Sequence, residues 1–397
     1  METMKQYSKQ VKRALLRVDF NVPVDNGAIT DFTRIKSAIP TIKHLLNLDY
    51  NIIIMSHFGR PKGWDNTFSL RLIVDPLSKM LGIDVMFYSQ HILNNETGKL
   101  PLERVVLLEN IRFYKEETSD DYAFSKHLSQ YGDIYVNDAF GVSHREHASV
   151  HGIKQFFKEN KYKGILIDQE LKELNKIKQH PAHPLTLVIG GSKVSSKIKV
   201  LEYFLGIADN IIIGGGMAFP FIKLLNGKIG KSLCNDAELL VALSFMKKAE
   251  NTKTKIILPI DCVTSAEIKS QAKTLIVDIK EIPDNYMGLD IGPKSIELFT
   301  LVISKSKSIL WNGPMGVFEI NEFSEGTNSI ARAITDELNQ EIYSLAGGGD
   351  TLAAISKIGI NNKFSYLSTG GGAMLDFFQD HSLPGIIKLK SLVDLPN

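Results

Sequence analysis

Cysteine is almost missing from this chain of 397 residues: only Cys234 and Cys262 occur. Two cysteines build neither a disulfide framework nor a cysteine-rich zinc site. No run approaches about 18 uninterrupted apolar residues, so no membrane-spanning helix is expected. The opening METMKQYSKQVKRALLRVDF lacks the apolar core of a secretory signal. An excess of one charge is missing too: 46 Lys and Arg stand against 44 Asp and Glu, a net +2. Such a chain has no global field for nucleic acid or an anionic membrane, so any anion site must be local. Charge blocks, short repeats and low-complexity stretches are likewise not found. What is present is 44% apolar residues, enough for sizeable cores. At about 150 residues per domain the length suggests two or three domains, with two favoured for α/β architecture. The expectation is a globular cytoplasmic protein without nucleic-acid or membrane partners.

Strand-length apolar runs alternate with helix-period segments almost throughout. The runs are ALLRVDF, NIIIMSH, VVLLEN, DIYVND, LTLVIGG, NIIIGGG, KIILPID, SILWNG, YSLAGGG and FSYLSTGGG. Between two of them, Leu70, Val74, Leu77 and Leu81 recur at helical spacing. Continuous Ile, Val and Leu runs bounded by Gly and Asn suit strands buried on both faces, hence parallel α/β sheets. One segment looks like a divider. In GILIDQELKELNKIKQ, Ile167, Leu171, Leu174 and Ile177 form one stripe, and HPAHP then stops the helix. The spacing predicts an inter-domain helix over about 165–180.

In open parallel sheets, ligands bind beyond the carboxyl ends of the strands. In the first half those ends are polar and cationic: Arg17-Val-Asp19-Phe-Asn21, Ser56-His57-Phe-Gly59-Arg60, Glu109-Asn110-Ile-Arg112, Asn137-Asp138, and His144-Arg145-Glu-His147. Arg34 lies in the polar stretch Thr30–Arg34, and seven of the ten histidines precede residue 165. Together they suggest a site for a small, highly charged anion gripped by arginine forks. Asp19 and Asp138 are either general bases or loop caps. Arg17 and Glu109 read as buried support. His144, His147 and His151 read as a weak metal pattern, since Arg145 sits among them and no HExxH accompanies them.

The second half replaces cations with glycine. Four strands run into Gly190-Gly191, Gly214–Gly216, Gly347–Gly349 and Gly370–Gly372, each before an expected helix start. Glycine lets a ligand approach the backbone, and helix N-termini offer free N–H groups to phosphate. Neither G-x-x-x-x-G-K-[ST] nor G-x-G-x-x-G is matched, so this is no P-loop or dinucleotide site by motif. Lys193 and Lys197, four apart on an expected nascent helix, are either phosphate ligands or a solvated face. Asp350 is either a helix N-cap or a Mg²⁺ anchor, and Glu319 either a ribose acceptor or a first-turn acid.

In order along the chain, RVDFNVP, SHFGRPKG, LLENIRF, NDAFGVSHREHAS, GGSKVSSKI, GGGMAF, DIGPKS, WNGPMGVFE, AGGGDT and STGGGA resemble the phosphoglycerate kinase family across essentially its whole length. The resemblance implies two doubly wound, Rossmann-like parallel-sheet domains, 1–165 and 181–379, joined by the helix at 165–180 acting as a hinge. A tail at 380–397 would return to the first domain. It implies a monomeric glycolytic enzyme: 1,3-bisphosphoglycerate + ADP giving 3-phosphoglycerate + ATP, with Mg²⁺. By motif, Asp19, Asn21, Arg34, His57, Arg60, Arg112 and Arg145 would hold the triose. Lys193, Arg34, Gly348 and Gly349 would act on the phosphoryl group in flight. Lys197, Gly288, Asn312, Glu319 and Gly348 to Thr351 would serve the nucleotide, with Asp350 towards Mg²⁺. The chain departs from the pattern at Ser192, Pro220, Met374 and Asp376.

Residues and resemblance agree on mechanism. The acceptor in the reverse direction is a carboxylate already ionised at neutral pH, so no general base is needed. Alignment and cations around the phosphoryl oxygens suffice. Neither half carries a complete site, so closure is expected. Two alternatives are a non-catalytic anion- and nucleotide-binding protein and a kinase of another acyl phosphate. The retained lysines, arginines and Asp350 argue against the first.

Overall fold

Side chains alternate between two faces along a strand, and the apolar runs of the first half bury both. In the strand Arg13–Arg17, Leu16 enters one core with Ile52, Ile54, Val105 and Leu107. Leu15 enters the other with Ile53, Val106 and Leu108. The computed structural model describes residues 12–90, 92–94, 103–336, 341–379 and 382–395. It resolves two compact units. One takes the chain to Leu171 and again from Ser382; the other runs from Lys172 to the tail.

The first unit is built on seven parallel strands, in the order Lys390–Ser391, Lys161–Lys163, Ile134–Asn137, Arg13–Arg17, Asn51–Met55, Val105–Leu108 and Met86–Tyr88. The helices Thr33–Asn47 and Arg71–Leu81 cover one face, burying Ile35, Ile42, Ile73 and Leu77. The tail strand Lys390–Ser391 pairs with Lys161–Lys163, and the Lys154 ammonium donates to the Pro384 carbonyl. Residues 380, 381, 396 and 397 of the expected tail lie outside the described residues.

The second unit has six parallel strands: Lys255–Ile257, Asn210–Ile213, Leu185–Ile189, Ser308–Asn312, Tyr343–Gly347 and Tyr366–Ser368. All ten apolar runs of the sequence thus lie in the two parallel sheets. Strand order reverses between Leu185–Ile189 and Ser308–Asn312, which opens a crevice at their carboxyl ends. A further sheet of Asp261–Ser265, Leu275–Asp278 and Met287–Ile291 is antiparallel. KIILPID therefore splits: its parallel strand ends at Ile257, and Asp261 opens the antiparallel one. Among the described residues no helix is long and apolar enough to cross a membrane.

The divider helix spans Ile165–Lys178, and the boundary between units falls within it. Ile167, Leu174 and Ile177 are buried as the stripe predicts, whereas Leu171 is half-buried and Glu170 takes a buried place. Its first turn is capped from outside. Thr41 Oγ1 accepts from the Ile165 N–H at 2.9 Å, and Asp138 Oδ1 accepts from Leu166 at 3.0 Å and Ile167 at 3.3 Å. Asp138 is therefore a cap rather than a base. Burial raises its carboxyl to about 7, with the Asp168 charge adding to the shift. The proton is bound more tightly in the fold than in the unfolded chain. Stability from this group is thus full below about pH 4 and declines as pH rises to about 7. Asp138→Asn keeps an acceptor for both N–H groups. It is expected to flatten that slope and to equal or exceed the parent's stability at about pH 8. Denaturant midpoints across this range decide it; an unchanged slope refutes the assignment.

Candidate active site

Arg17 closes the first strand fully buried, and its guanidinium organises the side chains around it. Nη2 reaches His57 Nδ1 at 3.1 Å. An arginine N–H only donates, so Nδ1 accepts and the neutral ring carries its proton on Nε2. Burial pulls His57 well below its ordinary value, with Arg17, Arg112 and Arg34 adding to the shift and Asp19 opposing it. Burial alone would raise the Asp19 carboxyl. Arg34, His57 and Arg17 outweigh it and hold Asp19 far below the usual range. Asp19 ion-pairs with Arg34 and accepts the Asn21 N–H at 3.1 Å. It too is committed, and is no general base.

Asn21 and Arg112 grip backbone. Asn21 Oδ1 accepts from the Gly59 N–H at 2.8 Å, and Arg112 Nη1 donates to the Gly59 carbonyl at 2.8 Å. They fix the loop that begins Gly59-Arg60. Arg60, Arg112 and Arg145 line one cavity of about 770 Å³, joined by Lys62 and Lys115. Burial lowers Arg112 to about 10, and the nearby Arg17 and Arg145 charges push the same way. A cavity crowded with like charges favours an anion. Glu109 caps the 69–70 turn, accepting from Leu70 N–H at 2.9 Å and Ser69 Oγ at 2.7 Å. The carboxylate facing Arg17 is instead Glu117, reached through Ser149, which the sequence pattern does not single out.

In the second unit the glycine runs divide by what a side chain would meet. A Cβ on Gly190 would strike the Pro314 carbonyl, one on Gly214 the Met315 sulfur, and one on Gly371 the Gly348 Cα at 2.6 Å. Those glycines allow close packing. Gly349 has open space, and Gly191 faces only the Lys197 side chain at 3.4 Å. These two are free to meet a ligand. Gly348, at φ +106°, is the N-cap of the helix Gly349–Lys357, so Asp350 is a first-turn acid and not the cap. Thr351 is buried, and its hydroxyl accepts the Gly313 N–H at 2.7 Å. Asn312 donates to the Gly347 carbonyl at 2.7 Å, tying the two strand ends together.

Lys193 and Lys197 do not share a helix face. The helix begins only at Ile198, and Lys193 stands exposed in the preceding turn. Lys197 folds back, donating to the Gly190 carbonyl at 2.7 Å and the Asn312 carbonyl at 3.1 Å. Burial lowers it to about 8, while Asp350 pulls the other way. A cavity of about 310 Å³ lies beside them, lined by Gly191, Gly215, Gly216, Gly288, Glu319 and Asp350 among others. Glu319 sits on a turn, not in a helix's first turn. Of the apolar walls, Phe219 and Val317 fall within the GGGMAF and WNGPMGVFE strings, whereas Leu233 and the strand residues Met287 and Leu289 lie outside every motif the sequence singles out. Pro220 sits in the first helical turn, where proline is tolerated. Met374 is buried against Gly347, and Ser192 lines the cavity.

The described residues hold no cluster of three or more His, Cys, Asp or Glu fit for a metal. His151 pairs with Asp120 at 2.6 Å, and His147 lies 3.8 Å from Glu117. A single exposed carboxylate at a helix start, Asp350, suits an ion that arrives already held by phosphate oxygens.

A family model described as phosphoglycerate kinase matches residues 4–381. The chain is 44% identical over 391 residues to the Finegoldia magna phosphoglycerate kinase, covering 97% of this chain and 98% of that one. It is 41% identical to cytosolic phosphoglycerate kinase 3 of Arabidopsis thaliana, covering 98% and 97%. Among solved structures, phosphoglycerate kinase from Coxiella burnetii aligns with a TM-score of 0.81 at 36% identity, covering 96% of this chain and 97% of that one. Likeness in sequence and fold thus runs through both units and both cavities, and the chain belongs to the phosphoglycerate kinase family.

Proposed function

We propose that the cationic cavity of the first unit holds the triose and the glycine-bounded cavity of the second holds the nucleotide. The enzyme then performs the reversible reaction 1,3-bisphosphoglycerate + ADP giving 3-phosphoglycerate + ATP. The observation that carries the assignment is the segregation of lining chemistry between the two cavities. Arg60, Arg112 and Arg145 line one cavity, while Gly191, Glu319 and Asp350 line the other. His57 Nε2–H and Arg34 serve the triose beside them. Asp19 and Asn21 support it by holding Arg34 and the Gly59 loop.

The chemistry asks for alignment and charge. Asp19 is ion-paired and Asp138 caps a helix, so neither is a free base, and a carboxylate acceptor needs none. Lys193, Arg34 and the N–H groups at Gly348 and Gly349 stabilise the phosphoryl group as it moves. Asp350 would hold Mg²⁺ brought with the nucleotide, and the ion would offset phosphate charge. Lys197 and Asn312 shape the nucleotide loops; Gly288 and Glu319 border the nucleoside. In-line transfer needs donor and acceptor aligned, so both units must act on the phosphoryl group together. The cytosolic relative supports a cytoplasmic setting, and we read the enzyme as a monomer, testable by light scattering.

Arg60→Ala and Arg145→Ala are each expected to weaken triose binding about ten- to hundred-fold, since a charged hydrogen bond is worth roughly 1.5–3 kcal/mol. Calorimetric ADP affinity should stay unchanged. Equal loss of ADP affinity would contradict the division. A coupled assay of ADP phosphorylation, with acetyl phosphate as the alternative donor, tests the reaction itself; turnover of acetyl phosphate alone would overturn it.

A further inference from the structure

The loop between Phe58 and Ser69 is held firmly at its base. Asn110 donates to the carbonyls of Phe58 at 2.7 Å and Phe68 at 2.9 Å and accepts from the Phe58 N–H at 3.2 Å. Asn21 and Arg112 clamp Gly59 from both sides. Beyond Gly59 the restraints change. The tip, residues 60–63, carries Arg60 and Lys62 into a cavity that already contains Arg112, Lys115 and Arg145. Glu116 is the one acid in this lining against five cations, so net repulsion between like charges works to push the tip outwards. Directly after the tip comes an aromatic contact. The Trp64 ring lies on Phe113 with centroids 4.8 Å apart and planes 40° apart. Phe113 itself is buried, follows Arg112 directly and lines the cavity. Trp64 remains 47% exposed. A large apolar ring left half in water is thus stationed where the loop turns back.

We infer that Trp64 is a positioning residue for the triose: its contact with Phe113 holds Arg60 and Lys62 over the cavity against their repulsion. This rests on the cavity being the triose site. The ring touches no reacting atom, so it acts on affinity and not on the chemical step. Removing the contact lets the tip populate outward positions, and apparent affinity falls by the fraction of time the tip is competent.

Trp64→Ala is expected to raise the KM for 3-phosphoglycerate about three- to ten-fold, in line with the strength of aromatic pairs. The kcat and the KM for ATP should hold, and Trp64→Phe should restore the parent KM. Fluorescence gives a second readout, because the only other tryptophan, Trp311, is fully buried in the second unit. Emission of the parent should change on adding 3-phosphoglycerate, and that change should vanish in Trp64→Phe. An unchanged KM in Trp64→Ala, or equal losses in kcat and in both KM values, overturns the inference. Arg60→Ala in parallel separates the layers. If it raises the triose KM while Trp64→Ala does not, only the role of Trp64 falls. If neither variant moves that KM, the triose assignment of the cavity falls with it.

Discussion

Lys193→Ala should lower kcat by roughly 10²–10³, the usual loss when one preorganised electrostatic contact to a developing charge is removed. The loop around Lys193 is built to present a cation. Val194 is fully buried beside it, the Ser195 N–H donates to the Glu238 carboxylate at 3.0 Å, and Ser196 Oγ donates to the Lys193 carbonyl at 2.7 Å. The backbone is thus fixed on the far side while the ammonium stands in solvent. An ammonium presented this way acts on charge that develops on the transferred group, so its loss should lower kcat more than affinity. Lys197 differs. Its ammonium already bonds two carbonyls, so Lys197→Ala should loosen the loop and raise the KM for ADP. Steady-state kinetics on both variants separates the roles. Near-normal kcat in Lys193→Ala would sink the assignment.

The contrast between these lysines shows where sequence reasoning stops. Spacing of four places both on one helix face. The chain instead stays in a turn until Ile198, because Lys197 folds back to bridge the ends of two strands. The parallel strands are legible because a continuous apolar run of four or five residues has few alternatives to a doubly covered parallel sheet. The antiparallel sheet is not. DCVTS and MGLDI mix polar and apolar residues, and their pairing is set by partners many positions away. The Gly-rich runs point to the right strand ends, yet Gly190 and Gly214 serve packing while Gly191 and Gly349 stay open. Nothing in a one-dimensional pattern tells these apart. Asn21 and Arg112 carry a similar ambiguity. Their types suit an anion, and the fold uses both to clamp Gly59.

The hardest feature to read from sequence is the charge that balances Arg17, and its removal yields the second large effect. Arg17 Nε donates to Ser149 Oγ at 2.9 Å, and that hydroxyl donates to Glu117 Oε1 at 2.7 Å. Glu117 Oε2 accepts the Ser149 N–H at 2.9 Å, and both charged groups are fully buried. Burial raises the Glu117 carboxyl and lowers the Arg17 guanidinium, and each charge opposes the other's shift. Arg17→Met would strand a carboxylate inside the first unit, at a cost of roughly 3–5 kcal/mol. Linkage gives the sign with pH. Without Arg17 the Glu117 carboxyl rises further. Protonated Glu117 is tolerated and ionised Glu117 is not, so the deficit should be larger at about pH 8 than at about pH 5. Adding Glu117→Gln removes the stranded charge and should recover much of the loss. His57 would not recover, since its Nδ1 loses the Arg17 donor that sets its tautomer, and the KM for the triose should stay raised in the double variant. Denaturant unfolding at both pH values, with triose kinetics on the double variant, tests each step. If the single and double variants are equally unstable, the pair is not what holds this strand end.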